Sequence, residues 1–216
     1  MAFSNQTSSV YDDLKQKIIK GIYKPSENLR EVELATHYGV SRNTVKKALL
    51  MLEKDNYIVL EKNKGAKVKA YSKQEVLEFL EIRGVLEGFI LKLTVPVITD
   101  SEINHLEEIV NEMKKRKDNR NLLEYSVKNQ EFHQTIYSAC PNKTLVDITV
   151  NLKNQMRKYN TKTILVPGRD EQSYSEHSAI LDAIKNRNAE LAEQLMQIHI
   201  ENVRQTFKDN FDLLFY

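Results

Sequence analysis

Apolar residues recur at helical spacing along most of the chain, with one interruption near residue 60. Between Ser9 and Ile22, the residues Val10, Tyr11, Leu14, Ile18 and Ile19 share one face of a helix. Gly21 and Pro25 stop it. A short second helix fits Glu31–Tyr38, with Val32, Leu34 and Ala35 inward and Gly39 as its left-handed end. Ser41 reads as the N-cap of a third helix over Arg42–Asn56, whose apolar side is Val45, Ala48, Leu49 and Leu52. The period then changes. Tyr57–Leu60 and Ala66–Lys69 read as two short strands around the turn Lys62-Asn63-Lys64-Gly65. After the polar junction "SKQE", helical spacing returns over about 73–94, 100–118, 121–139, 142–165, 171–186 and 189–211. Pro96, Pro141, Pro167-Gly168 and the polar stretches near 119 and 187 separate these six helices. The chain therefore reads as mainly α. Residues 1–71 form a winged helix-turn-helix domain, and residues 72–216 an all-α antiparallel helical bundle.

The polar side of the third helix changes the picture. Arg42, Asn43, Lys46 and Lys47 crowd its first turn and a half. Cations there oppose the helix dipole, at about 0.3–1 kcal/mol each, and a bound anion reverses that penalty. A helix that begins with Arg, Asn, Thr44 and Lys can enter a major groove and meet base edges. The hairpin lysines Lys62, Lys64, Lys67 and Lys69 suit phosphate and minor-groove contacts, although alone they read equally as a solvated turn. Charge supports the division of labour. Residues 1–71 hold 13 Lys+Arg against 8 Asp+Glu, or +5, and the remainder holds 19 against 22, or −3. Only the front part is built to meet a polyanion.

Composition excludes little more. Hydrophobic residues make up 41% and charged residues 29%, ordinary for a soluble globular protein. No apolar run reaches the roughly 18 residues of a membrane span, and the N-terminus has neither the basic head nor the apolar stretch of a signal peptide. No membrane partner is expected. The lone Cys140 cannot form an internal disulfide, which fits a cytoplasmic location, and it reads as a helix-end core residue.

The stretch "GIYKPSENLREVELATHYGVSRNTVKKALLMLEKDNYIVLEKNKGAKV" resembles the DNA-binding domain of the GntR family of bacterial transcription regulators. The resemblance implies that Arg42, Asn43, Thr44, Lys46 and the wing residue Gly65 contact DNA, with Ser41, Lys47, Lys64 and Lys67 beside them. Val32 and Lys46 stand where many relatives have an operator-reading arginine. Lysine lacks arginine's bidentate fork, so the operator departs from the common one. The motifs "EIRGVLEGF", "NQEFHQTIY", "YSEHSAILDAI" and "AEQLMQIHI" resemble the FadR-type (FCD) ligand-binding domain, and the six-helix count favours its shorter, VanR-like variety. The family relation implies a homodimer on an imperfect palindrome in double-stranded DNA.

The histidines carry the chemistry of the second domain. Asn129 and His133 are four apart and share a helix face. His177 and His199 lie nearly equally far from the turn at 187–188, so a helical hairpin sets them at one level. Three converging imidazoles suit a divalent transition metal such as Zn or Ni. Spacing alone leaves open three unrelated core or surface histidines. The resemblance makes Asn129, His133, His177 and His199 the metal ligands, with Asn129 where the family often has aspartate and so without a compensating charge. His37 and His105 match nothing and read as solvated. Arg83 sits among apolar residues, where it needs an anion. The local reading pairs it with Glu87, four residues on; the resemblance makes it the partner of a small carboxylate effector. A ligand-responsive regulator, in the repressor sense, follows. A metal-dependent enzyme acting on a small organic acid is the second reading, disfavoured because no H-E-x-x-H, phosphate loop or nucleophile elbow is present. An effector-independent DNA-bridging protein is the third.

Overall fold

The computed structural model describes residues 2–61, 65–160 and 162–215. The chain divides into two compact units, Met1–Ser72 and Lys73–Tyr216.

In the first unit, α1 (Ala2–Ile19) is followed by β1 (Asn28–Leu29), α2 (Glu31–Tyr38), α3 (Arg42–Lys54), β2 (Ile58–Glu61) and β3 (Gly65–Val68). The strands form an antiparallel sheet in the order β1-β3-β2, with Leu29 opposite Ala66 and Leu60 opposite Ala66 on the other side. Leu14, Leu29, Val45, Ala48, Leu49, Leu52 and Ile58 fill the core beneath the helices and sheet. Gly39 ends α2 in the left-handed region at φ 62°, and two residues later Ser41 caps α3, its Oγ accepting from Thr44 N at 3.1 Å. That tight turn fixes how α3 leaves α2. Three expectations need correction. α1 starts earlier than the apolar pattern and stops at Ile19, leaving Ile22 exposed. Val32 is 58% exposed and not part of the core. A third strand, β1, joins the hairpin through only two residues, too few to show a period.

The second unit is helical throughout its described residues: α4 (Lys73–Thr94), α5 (Asp100–Asp118), α6 (Leu122–Ala139), α7 (Lys143–Asn160), a 3₁₀ turn (Thr163–Leu165), α8 (Arg169–Lys185), α9 (Ala189–Asp209) and α10 (Phe211–Phe215). Side-chain caps start several of them. Thr99 and Glu102 form a reciprocal capping box on α5, and Asn121 and Asn188 cap α6 and α9. The helix expected over 142–165 is broken into α7 and the 3₁₀ turn. The end near 165 falls where expected, because Val166 precedes Pro167 and is held extended at ψ 128°. No helix among the described residues is long and apolar enough to cross a membrane.

One seam positions the interior. α4 packs along α9 with Gly84 and Gly88 at the contact. A Cβ on Gly88 would lie 2.7 Å from Gln197 Cγ and 3.2 Å from the Glu193 carbonyl. Only glycine lets the two backbones approach this closely, which carries the α4 residues Arg83 and Glu87 into the centre of the bundle.

Candidate functional site

α3 presents the groove-reading side chains. Arg42, Asn43, Lys46 and Lys47 are exposed, and Arg42 lies 3.5 Å from Glu31 on α2. Ser41 spends its acceptor on the cap. Thr44 is the exception among the expected contacts: it is 7% exposed, and its hydroxyl lies 2.9 Å from Ser41 Oγ, so it locks the helix start. In the wing, Gly65 adopts φ 89°, which favours glycine, and Lys67 lies 3.8 Å from Glu61. Lys69 turns back over the Tyr71 ring at 4.9 Å. Lys62 and Lys64 lie outside the described residues.

In the second unit, His133 from α6, His177 from α8 and His199 from α9 are brought together, all buried. Ring centroids are 4.6 Å apart for His177 and His199, 5.4 Å for His133 and His199, and 5.5 Å for His133 and His177. One ring nitrogen from each lies within 4.8 Å of the other two. That span is wider than the roughly 3.4 Å between two nitrogens on a tetrahedral zinc, so holding an ion draws the rings inward by up to about 1.4 Å.

Each ring is held from its Nδ1 side. His177 Nδ1 donates to the Ser173 carbonyl at 2.7 Å, and His199 Nδ1 donates to Glu176 Oε2 at 2.6 Å. His133 Nδ1 sits 2.8 Å from Glu87 Oε2, coupled electrostatically though out of line for a hydrogen bond. Protons fixed at Nδ1 of His177 and His199 leave the Nε2 lone pairs of those two rings as the free donors, the arrangement by which outer partners orient metal-binding imidazoles. His177 Nε2 is buried with no partner at all. Burial, and then the Lys153 charge, push the His133 imidazole down to about 3; burial also holds His177 and His199 below their ordinary value. All three are neutral at pH 7, the state a metal requires.

Glu87 is the hub of the opposite wall. Burial opposes its charge, but Arg83, Lys153 and His133 together hold its carboxyl well below the usual range. Arg83 Nε is paired with Glu87 Oε1, and Lys153 Nζ lies 3.7 Å from that oxygen. Burial brings the Lys153 ammonium down to about 8, with Glu87 resisting. A matching group surrounds Glu176, which accepts from Arg169 Nη2 at 2.8 Å and from Asn202 Nδ2 at 2.7 Å. Between these walls lies a cavity of about 180 Å³, lined by Arg83, Asn129, His133, Lys153, Arg169 and His199 among others. A cavity of about 150 Å³ already admits a benzene-sized ligand. Asn129 Oδ1 is buried in it without a partner.

The local reading of Arg83 and the one from resemblance are thus compatible, since it pairs with Glu87 and still lines the cavity. The expectation of a site without protein charge is corrected. Two carboxylates, Glu87 and Glu176, stand directly behind the histidines, where the sequence shows only scattered acidic residues. Glu87 was visible as an i,i+4 partner; Glu176, Lys153 and Arg169 carry no local signal. His37 and His105 are exposed, and Cys140 is buried at the end of α6.

The neutral, buried triad makes a pH dependence expected in metal-free protein. Unfolded histidines take up protons near pH 6.5, whereas folded His133 refuses them until about pH 3, and His177 and His199 are also held below their ordinary value. In that window the unfolded chain binds more protons, so stability is full above pH 6.5 and declines as pH falls toward 3, by up to about 1.4 kcal/mol per pH unit per histidine. Urea unfolding at pH 7.5 and 5.5 measures it; equal midpoints at both would contradict the buried neutral assignment.

A winged helix-turn-helix followed in the chain by a helical unit with a ligand-sized cavity is the architecture of a DNA-binding transcription regulator. Residues 6–68 match the bacterial regulatory proteins of the gntR family, residues 78–202 match the FCD domain, and the chain belongs to the GntR family in its FCD-bearing form. It is 26% identical over 204 residues to the gluconate operon transcriptional repressor of Bacillus subtilis, covering 91% of this chain and 83% of that protein. Identity to the Uxu operon regulator of Haemophilus influenzae is 28% over 212 residues, 88% of this chain and 77% of that one. In fold it is similar to Escherichia coli McbR/YncC, with TM-score 0.75 at 21% identity over 94% of this chain and 98% of that chain.

Proposed function

We propose that this regulator is a repressor of a metabolic operon, released from its operator by a small carboxylate that binds in the FCD cavity beside a divalent metal. The observation that carries the reading is the triad: three neutral histidines, His177 and His199 anchored at Nδ1, His133 and His199 lining a cavity with more cations than anions. Arg83, Lys153 and Arg169 outnumber Glu87 and Glu176 by three to two, before any metal adds its charge. An anion completes the balance. His133, His177 and His199 would hold the ion, zinc or nickel by donor type, with Asn129 Oδ1 as a fourth donor. The metal would supply Lewis-acid attraction for the carboxylate, while Arg83 offers it a guanidinium. The names of the Bacillus and Haemophilus relatives, each tied to an operon, support the metabolic role. A homodimer reading an imperfect palindrome follows from the recognition helix, and a cytoplasmic location from the family.

Selection of binding sites from random duplex DNA tests this. The expected product is an imperfect palindrome, released when small organic acids are added with zinc. Arg42→Ala should cost about 1–3 kcal/mol at that site, while Lys47→Ala should weaken all sequences alike and lower the salt slope by about one. If no acid in a broad panel changes operator affinity, the effector reading is wrong.

A further inference from the structure

Arg169 opens α8 after Pro167-Gly168 and is only 4% exposed. Its Nη2 donates to Glu176, but its Nη1 is buried and meets no acceptor. An unanswered donor on a charged, buried group is among the costliest states a side chain can hold. Its position in the first turn also sets it against the helix dipole. Pairing with Glu176 needs one nitrogen; lysine would supply it. The second nitrogen of the fork has no use within the described residues.

That nitrogen belongs to a side chain lining the cavity, and its place there is informative. Arg83 is linked through Glu87 to His133, whereas Arg169 is linked through Glu176 to His199. The two guanidinium groups therefore serve different members of the triad.

We propose that Arg169 is a second effector-binding residue, its Nη1 donating to an effector oxygen other than those of the carboxylate held at Arg83. This rests on the cavity being the effector site. It narrows the effector to small acids with a second oxygen acceptor, a carboxylate or a hydroxyl, besides the first carboxylate. A plain monocarboxylate leaves Arg169 unanswered.

Three four-carbon probes isolate that second group: butyrate, 4-hydroxybutyrate and succinate, titrated calorimetrically into the full-length protein in zinc-containing buffer. Wild type should bind 4-hydroxybutyrate, succinate or both at least about tenfold tighter than butyrate, the scale of one charge-assisted hydrogen bond. Which of the two is preferred tells hydroxyl from carboxylate. Arg169→Lys keeps the charge facing Glu176 but loses the fork. Its affinities for 4-hydroxybutyrate and succinate should fall to that for butyrate, so that the preference for the longer-reaching probes is lost. Arg169→Gln, which retains an N–H toward Glu176, serves as the second variant if the lysine form does not fold, and should lose the same preference. Persistence of the preference in the folded variants, or its absence in wild type, overturns the role of Arg169 alone. Failure of wild type to bind any of the three overturns the acid-effector reading of the cavity, and this proposal with it.

Discussion

Glu87→Gln is expected to lower the unfolding free energy of the protein by about 3–5 kcal/mol, the range for removing one partner of a buried ion pair. Glu87 is fully buried, and Arg83 beside it is 7% exposed. The amide would leave that buried guanidinium without a counter-charge, and would also take one from the half-buried Lys153 ammonium 3.7 Å from Oε1. It would also release His133 from the carboxylate at its Nδ1. Urea unfolding followed by helical circular dichroism measures the effect. A loss under about 1 kcal/mol would mean that water reaches these charges and that the hub is not a buried one. Arg83→Met in the same background should recover part of the loss, because removing both charges together is far less costly than removing one.

The second large effect concerns the metal. His177→Ala should turn stoichiometric zinc binding into binding undetectable at micromolar zinc, since two imidazoles and an amide oxygen make a poor site for that ion. The ring packs edge-on against Phe132 at 5.0 Å, so the truncation also leaves a small void, and helix content must be shown to persist. Glu176→Gln provides the graded comparison. It keeps an acceptor for His199 Nδ1 but removes the charge, and outer partners of this kind are worth about 10–100-fold in metal affinity. Calorimetric zinc titration of both variants against wild type decides the matter. Equal affinity in all three proteins would return the histidines to the status of packing residues.

Much of this architecture is legible in the sequence, for reasons that also explain the gaps. Helices α4, α5, α6, α8 and α9 fall close to their expected ranges because periodicity and capping agree, as at Thr99 with Glu102 and at Asn188. Where only one of those signals exists, the reading slips. The start of α1 lies in a polar stretch before Val10, and within the helix expected over 142–165 no proline or glycine marks where α7 gives way to the 3₁₀ turn. Val32 shows that an apolar residue on a short helix need not be a core residue.

The same logic governs the site. His177 and His199 were placed at one level because a hairpin relates residues by counting from its turn, and Glu87 because i,i+4 is a local relation. Glu176 meets His199 across 23 residues, and Lys153 meets Glu87 from a different helix. Such partnerships depend on which polar side chains the packing buries, and no local pattern announces that. Glu176 even sits next to His177 in the chain, yet it serves the other histidine, since neighbours on a helix point about 100° apart.

The glycine seam between α4 and α9 has a mechanical meaning. α4 is a 22-residue rod that begins at Lys73, the first residue of the second unit. Glu87 lies 14 residues along it, about 21 Å from that end at 1.5 Å per residue. With Gly84 and Gly88 seated on α9, the rod has a fulcrum beside the cavity and a long arm away from it. Turning α4 by about 5° around that point carries Lys73 through roughly 2 Å, while the cavity wall itself barely shifts. Val76, Leu77 and Leu80 are buried along that arm, so such a turn would carry their packing with it and deliver its larger displacement at Lys73, where the second unit begins.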